Sequence, residues 1–461
     1  MSGLTEALAQ FIQTKTLEDL PVGALDKAKK ALADTCAVIL AGAGSEVAPP
    51  LLRYIQQTGD SGASPILGHD RTVSAEMAAL VNGTFGHALD FDDVLSMMPA
   101  HPSAVILPAL TADLRSGTLS GRALIEAYVI GVEVGGKIGL AITVGHYHRG
   151  FHGTGTLAIF SALGALAKRY QLDVPTTRMA FGIASSMASG LQRNFGTMTK
   201  PLHAGWASRS ALAAIDLARS GFTAALDVLE APAGFFAAYG VEESMPEAAI
   251  KHLGNPWVIA DPGLALKQFA CCYASHRGMD GVLRLRQRLG LNAANLTRLD
   301  CRMPPGGMRV LIYPQPKTGL EGKFSLQYAL AAGVLDGEYT LWSFTDEAVH
   351  REPIRDLLAR ICVVEDPRCA GDDPWLETRS SGSRGFVEVE AVLSDGRHET
   401  VRVDQAPGHP SRELTWDDIA AKFMDCAAQA RIDAGKAKRA LDILERLETC
   451  TDIGEVMALL H

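Results

Sequence analysis

The stretch His87-Ala88-Leu89-Asp90-Phe91-Asp92-Asp93, followed after a short gap by His101-Pro102-Ser103, crowds carboxylates and imidazoles into one short segment. Neighbouring acids repel and raise one another's pKa, so they persist together only where cations, a metal ion or protein donors offset them. Two readings fit the residues alone: a solvated helix end with a capping Asp, or a DxDD group that holds a divalent ion with the flanking histidines. No second acidic cluster completes the oxygen shell such an ion takes, and the expectation is no metal. A further segment, Arg149-Gly150-Phe151-His152-Gly153-Thr154-Gly155-Thr156, puts His152 among glycines that permit a tight entry into the next apolar helix. Thr154 or Thr156 could cap that helix and leave amides aimed at an anion. The pattern is neither a GxxxxGK[ST] phosphate loop nor a dinucleotide fingerprint, because no βαβ context surrounds it.

Lone lysines mark two more segments, Lys200 within Asn194 to Gly205 and Lys267 within Leu266 to His276. A half-buried ammonium costs free energy unless an anion meets it, and the alternative is that each side chain snorkels to water. Tyr313, before Pro314, is either a core residue with a satisfied hydroxyl or a site residue. Proton transfer needs a group that titrates near neutrality, so His101 and His152 form the natural acid–base pair, placed on opposite sides of a reacting carbon. Lys200 and Lys267 are candidates for holding negative charge as it develops on a bound carboxylate. Arg193 and Arg149 could add a bidentate grip, and Asp90 could orient one imidazole. His146, His148, His350, His398, His409 and His461 receive no role.

The elements that must carry these residues fall into distinct stretches. Up to about residue 265 the chain is rich in Ala, Leu and Gly, and Leu25, Ala28, Leu32, Cys36 and Ile39 form one helical stripe. Ala158 to Tyr170 and Ala207 to Ser220 read alike, and their small residues let helices approach closely. Beyond about Asp261 the character changes. Met308 to Tyr313 and Ile361 to Glu365 read as strands, and Phe386 to Leu393 with His398 to Val403 flank the turn Ser394-Asp395-Gly396-Arg397, a strong hairpin signal. Glu321 to Leu335 reads as a helix and Gly371 to Gly385, with Ser380-Ser381-Gly382-Ser383, as a loop. Thr415 with Asp418 has the form of a capping box that opens a returning helical tail.

Length and charge limit the classes. The 461 residues, 47% apolar and 21% charged, suit two or three domains at roughly 150 residues each and argue against disorder. Lys and Arg total 43 against 52 Asp and Glu, a net charge of −9 that supplies no diffuse positive field for nucleic acid or an anionic membrane. Any anionic ligand must therefore meet local cations. No run approaches the ~18 consecutive apolar residues that span a bilayer, and Met1 to Pro21 lacks the form of a secretion signal, so a cytoplasmic location is expected. The eight cysteines are dispersed, with no CxxC pair, and read as reduced packing residues, Cys271 and Cys272 included.

Taken in order, the pieces HALDFDD, HPSAVILPAL, GFHGTGT, TKPLHAG, KQFACCYASH and GKFSLQYALAAG resemble the MmgE/PrpD family, which includes 2-methylcitrate dehydratase, cis-aconitate decarboxylase and iminodisuccinate epimerase. The resemblance runs over nearly the whole chain. It implies a mostly α fold: a discontinuous all-helical large domain, residues 1–267 and 406–461, with a smaller α+β lid at 268–405. It also implies a homodimer whose active site lies in the domain cleft, with no metal or organic cofactor, acting on a small polycarboxylate. Carried over by motif, the site residues fall on Asp90, His101, His152, Lys200, Lys267 and Tyr313, with His203, His276 and Arg193 joining the lysines as substrate-binding candidates. Val94 stands where decarboxylase-like members carry Thr, and Lys200-Pro201-Leu202 where dehydratase members read Lys-Arg-Trp. The Asn194 to Lys200 run looks closer to the epimerase-like branch. The resemblance thus implies a lyase of dehydratase type that removes a proton next to a carboxylate. Its alternatives are an epimerase of a small dicarboxylate, a cis-aconitate decarboxylase-like activity, and a non-catalytic ligand-binding protein on the same fold.

Overall fold

A computed structural model describes residues 3–113, 117–373, 379 and 381–461. Ser380 and residues 374–378 of the expected loop lie outside the described residues, as do Met1 and Ser2 at the start of the segment read for a secretion signal. Packing divides the chain into two compact units. The first comprises Met1–Arg193, Thr199–Leu266 and Thr415–His461, and the second comprises Asn194–Met198 and Lys267–Leu414. The short excursion Asn194–Met198 and residues 406–414 thus pack with the second unit.

The first unit is built from helices α1 (Ala24–Ala43), α2 (Ala75–Ala88), α3 (Ser103–Ala112), α4 (Gly121–His148), α5 (Ala158–Arg169) and α6 (Thr199–Arg219), with shorter helices around them. The stripe read from Ala28 to Ile39 is buried in α1. Ser74 caps α2 by accepting from the Met77 amide, and Ser120 caps α4 by accepting from Ala123. Small residues set the spacing between α2 and α6: a Cβ on Gly83 would meet Gly205 Cα at 2.8 Å, and one on Gly205 would meet the Leu80 carbonyl oxygen at 2.0 Å. Only glycine fits these positions. The contact brings His87, in the last turn of α2, beside Lys200, in the first turn of α6.

Among the described residues one helix, α4 with 28 residues, is long and apolar enough on average to cross a membrane, although Glu133 and Lys137 interrupt its apolar run, as the sequence reading expects. Its most apolar window is 89% buried inside the unit. A buried Glu133–Lys137 pair at 3.5 Å sits within it, and the Glu133 carboxylate accepts from the Gly254 and Val258 amides at 2.6 Å each. These features are those of a core helix.

The C-terminal tail completes this unit. Thr415 and Asp418 form the expected capping box at the start of the helix Trp416–Gln429. Trp416 Nε1 donates to Asp26 of α1 at 2.9 Å, and the buried Lys422 ammonium lies 2.7 Å from Asp34 of α1. Lys422 also donates to the Phe91 carbonyl at 2.8 Å, which ties the tail to the acidic loop.

The second unit holds a four-stranded mixed sheet of β1 (Leu296–Met303), β2 (Ile361–Glu365), β3 (Val387–Leu393) and β4 (His398–Val403), in the order β2-β1-β3-β4. β1 and β2 run parallel with Cys301 opposite Val363, and β3 and β4 form the expected antiparallel hairpin with Val389 opposite Val401. Gly396 in the hairpin turn has φ +86°, the left-handed conformation that a tight turn demands. Two expectations are corrected. Met308 to Tyr313 is no strand: it follows a Pro-Gly turn, makes i to i+3 bonds such as Leu311 N to Met308 O, and ends at Pro314, which has no amide to donate. The helix read over Glu321 to Leu335 is broken, because Ser325 starts a new one at Leu326–Asp336 by accepting from the Tyr328 amide.

Candidate active site

The acidic loop and two helix ends converge in the first unit. The α2 helix stops just before Asp90, whose φ of +51° turns the chain back on itself. A non-glycine residue in that region is uncommon, although Asp tolerates it better than most, and here the turn delivers its carboxylate inward. Asp90 Oδ1 lies 3.0 Å from the Lys200 ammonium and 3.8 Å from His101 Nε2. Lys200 Nζ also donates to His87 Nε2 at 2.9 Å, and His87 Nδ1 lies 2.9 Å from both oxygens of Asp92. His87, Asp90, Asp92 and Lys200 are all buried.

His101 is held by the same loop. Its Nδ1 donates to the Asp93 carbonyl at 2.7 Å, and its own amide donates to Thr154 Oγ1 at 3.2 Å. A carbonyl oxygen can only accept, so the proton of a neutral His101 sits on Nδ1 and its Nε2 keeps a lone pair. Asp93 itself points into the core. It accepts from the Ser103 amide and from Ser103 Oγ, which meets the Tyr128 hydroxyl at 2.7 Å. Burial, opposed in part by the Ser103 bond, pushes the Asp93 carboxyl up to about 8.

His152 precedes the short helix Gly153–Thr156 and meets His203, on α6, with 2.9 Å between their Nδ1 atoms. One of these nitrogens donates and the other accepts. Neither threonine caps the helix as expected. Thr154 serves His101, and Thr156 donates to the His152 carbonyl while facing His146 Nε2 at 2.7 Å. His146, given no role from sequence, thus braces the turn that carries His152. Burial drives His152 well below its ordinary value, with the Lys200 charge adding to it, and burial holds His203 at about 4. Burial likewise lowers His87 against the pull of Asp92. These imidazoles are neutral at neutral pH.

The ring centroids of His87 and His101 lie 4.3 Å apart, those of His87 and His152 5.6 Å, and those of His101 and His152 6.3 Å. One nitrogen from each lies within 4.8 Å of one from the others, and His87, Asp90, Asp92 and His101 form a second set with the same spacing. Spacing alone would let either set ligate a metal ion. The Lys200 ammonium, bonded to His87 Nε2 and Asp90 Oδ1, already places a positive charge among those ligand atoms. A metal ion held there would have to compete with that ammonium for the same atoms.

The structure brings together five of the residues expected from sequence: Asp90, His101, His152, Lys200 and His203. Arg193 ends the first segment of this unit with an exposed side chain. Lys267, His276 and Tyr313 belong to the second unit. There Lys267 is fully buried, the His276 ring packs on Phe269 and Tyr273, and the Tyr313 hydroxyl donates to the Phe195 carbonyl at 2.8 Å. Gly196 has φ +82° and a Cβ there would come within 2.6 Å of the Tyr313 ring, so glycine is required beside it. Sequence reasoning missed His87 and Asp92 as members of the site. The signal was present in HALDFDD, where a histidine in the last helical turn stands five residues before a carboxylate.

The chain belongs to the MmgE/PrpD family. Its N-terminal domain model matches residues 6–247 and its C-terminal domain model residues 269–449. Among curated proteins the chain is similar to the cis-aconitate decarboxylase of Mus musculus, 28% identical over 473 residues that cover 100% of this chain and 94% of the relative. The cis-aconitate decarboxylase of Homo sapiens is 28% identical, with 100% and 95% covered. That of Aspergillus terreus is 27% identical, with 100% and 96% covered. Family and relatives together support an enzyme of dehydratase or decarboxylase type.

Proposed function

We propose that this protein is a lyase that acts on a di- or tricarboxylate by forming a carbanion next to a carboxylate, with cis-aconitate the first substrate to test. One observation carries the reading: a buried ammonium, Lys200, stands 2.9 Å from His87 Nε2 and 3.0 Å from Asp90 Oδ1, in a cluster where the rings of His101 and His152 pack beside His87. In decarboxylation a C–C bond breaks, CO2 leaves, and the electron pair spreads onto the remaining unsaturated acid until a proton reaches carbon. In dehydration a C–H bond breaks, the same charge builds on the carboxylate oxygens, and hydroxide then leaves with a proton. Both need fixed positive charge at the carboxylate and a proton carrier beside the carbon. Lys200 supplies the first. His101 supplies the second through Nε2, its Nδ1 being committed to the Asp93 carbonyl: the neutral ring accepts the proton in dehydration, and in decarboxylation Nε2 first takes a proton from solvent and then passes it to carbon.

The names of the relatives weigh toward decarboxylation. To test the function, purified protein is incubated with cis-aconitate, citrate, 2-methylcitrate and iminodisuccinate, and products are identified by NMR. Loss of CO2 or water from one of the tricarboxylates is expected. Conversion of iminodisuccinate alone, with only its optical rotation changed, would replace the lyase by an epimerase.

A further inference from the structure

We infer that His87 is a positioning residue: Asp92 locks it as the Nδ1–H tautomer, and its bare Nε2 then holds the Lys200 ammonium in place. The inference deepens the reading above, because it rests on Lys200 as the group that meets the substrate's charge.

The hydrogen-bond donors dictate the tautomer. A carboxylate only accepts, so the proton on the Asp92 side belongs to His87 Nδ1, 2.9 Å from both oxygens. On the other side the ammonium only donates, so Nε2, 2.9 Å from Lys200 Nζ, must offer its lone pair. A charged His87 would aim an N–H at an N–H of like charge. Every neighbour fits this assignment. Asp90 meets the ammonium at 3.0 Å from another side, His101 turns its own Nδ1 proton to the Asp93 carbonyl, and His152 turns its Nδ1 to His203. Burial also keeps His87 neutral. A buried histidine that served packing alone would need no particular tautomer and would leave Lys200 indifferent to it.

The arrangement has a catalytic consequence. Lysine is a flexible point charge with four rotatable carbons, and a displacement of about 1 Å at a reacting group can cost about 10²-fold in rate. Asp90 and His87 fix the ammonium from two directions, and Asp92 sets the proton that makes His87 an acceptor.

The test has two arms. In the first, protein labelled with ¹⁵N-histidine is followed by NMR without substrate, the His87 signals being assigned by their loss in His87→Gln. A protonated Nδ1 with a bare Nε2, persisting below the pH at which an exposed histidine charges, is expected. An Nε2–H tautomer or an imidazolium at neutral pH overturns the inference. In the second arm, His87→Gln, whose amide oxygen can still accept from Lys200, should keep kcat within about 10-fold, whereas His87→Leu should lose about 10²-fold. Equal losses in both, or none in either, overturn it. If the Leu variant fails to fold, the tautomer of the wild type still decides. A correct tautomer in a protein that turns over no polycarboxylate would refute the proposed function and leave the His87–Lys200 coupling standing.

Discussion

Lys200 Nζ and Asp90 Oδ1 form a 3.0 Å ion pair in which both side chains are buried. Removing one partner of such a pair strands the other's charge, so Lys200→Met should cost stability, on the order of 3–5 kcal/mol, as well as activity. The two effects separate in the double variant Lys200→Met/Asp90→Asn. Its melting temperature should recover most of the loss while kcat/KM stays down by at least about 10³-fold. Lys200→Arg should not restore full activity, because the longer guanidinium presents a rigid planar fork in place of a compact point charge. Recovery of activity in the double variant would remove Lys200 from the chemistry.

Much of this arrangement is legible in the chain. Five segments spread from residue 87 to residue 313 carry the chemistry-bearing types, and the helical stripes and the capping box at Thr415 follow from local rules. Other features are invisible locally. Strand β1, Leu296–Met303, does not stand out in the sequence because its polar face carries Arg298, Asp300 and Arg302, whose charges pair with each other and with Glu390 only once the sheet forms. Tyr313 and Gly196 read as separate motifs, yet the ring and the left-handed glycine touch. The role of His87 depends on which nitrogen meets which partner, and residue type alone does not encode that.

Stability should peak near pH 6.5, and the two sides of the peak have different causes. Asp93 binds its proton up to about pH 8 when folded, against an ordinary value of 3.8, so the folded chain holds an extra proton between those values and stability declines as pH rises through them. The histidines act oppositely. His152 and His203 lie below the ordinary 6.5 when folded, so below pH 6.5 the unfolded chain takes up protons that the folded chain refuses, and stability falls as pH drops. Between pH 6.5 and 8 the Asp93 contribution amounts to about 2 kcal/mol. Thermal unfolding across pH 5 to 8.5 should show both slopes. Asp93→Asn should flatten the alkaline slope and steepen the acid one, where Asp93 opposes the histidines, and an unchanged alkaline slope would assign it elsewhere.

Lys422→Met should destabilise the first unit by about 3–5 kcal/mol, because it leaves Asp34 buried without its partner and frees the Phe91 carbonyl. Adding Asp34→Leu should return much of that loss. Chemical denaturation of the three proteins measures it, and equal stability of Lys422→Met and wild type would contradict the tie between tail and loop.

Gly196→Ala should be far more damaging than its size suggests. The residue sits at φ +82° against the Tyr313 ring, so alanine pays a left-handed backbone cost of roughly 1–2 kcal/mol and also displaces the tyrosine. Gly59→Ala is the comparison: φ there is +66° with open space around it, and it should show the backbone cost alone. Equal melting temperatures for the two variants would mean that the Tyr313 contact carries no weight.

The central claim is that Lys200 and His101 act together on a carbon beside a carboxylate. It is tested most directly by following cis-aconitate with the wild type in deuterium oxide by proton and carbon NMR, alongside Lys200→Met/Asp90→Asn and His101→Gln. The account predicts loss of CO2 with one deuterium delivered to carbon by the wild type, and losses of at least about 10²-fold in both variants. Undiminished turnover and labelling in either variant, or no reaction of the wild type with any di- or tricarboxylate, would contradict it.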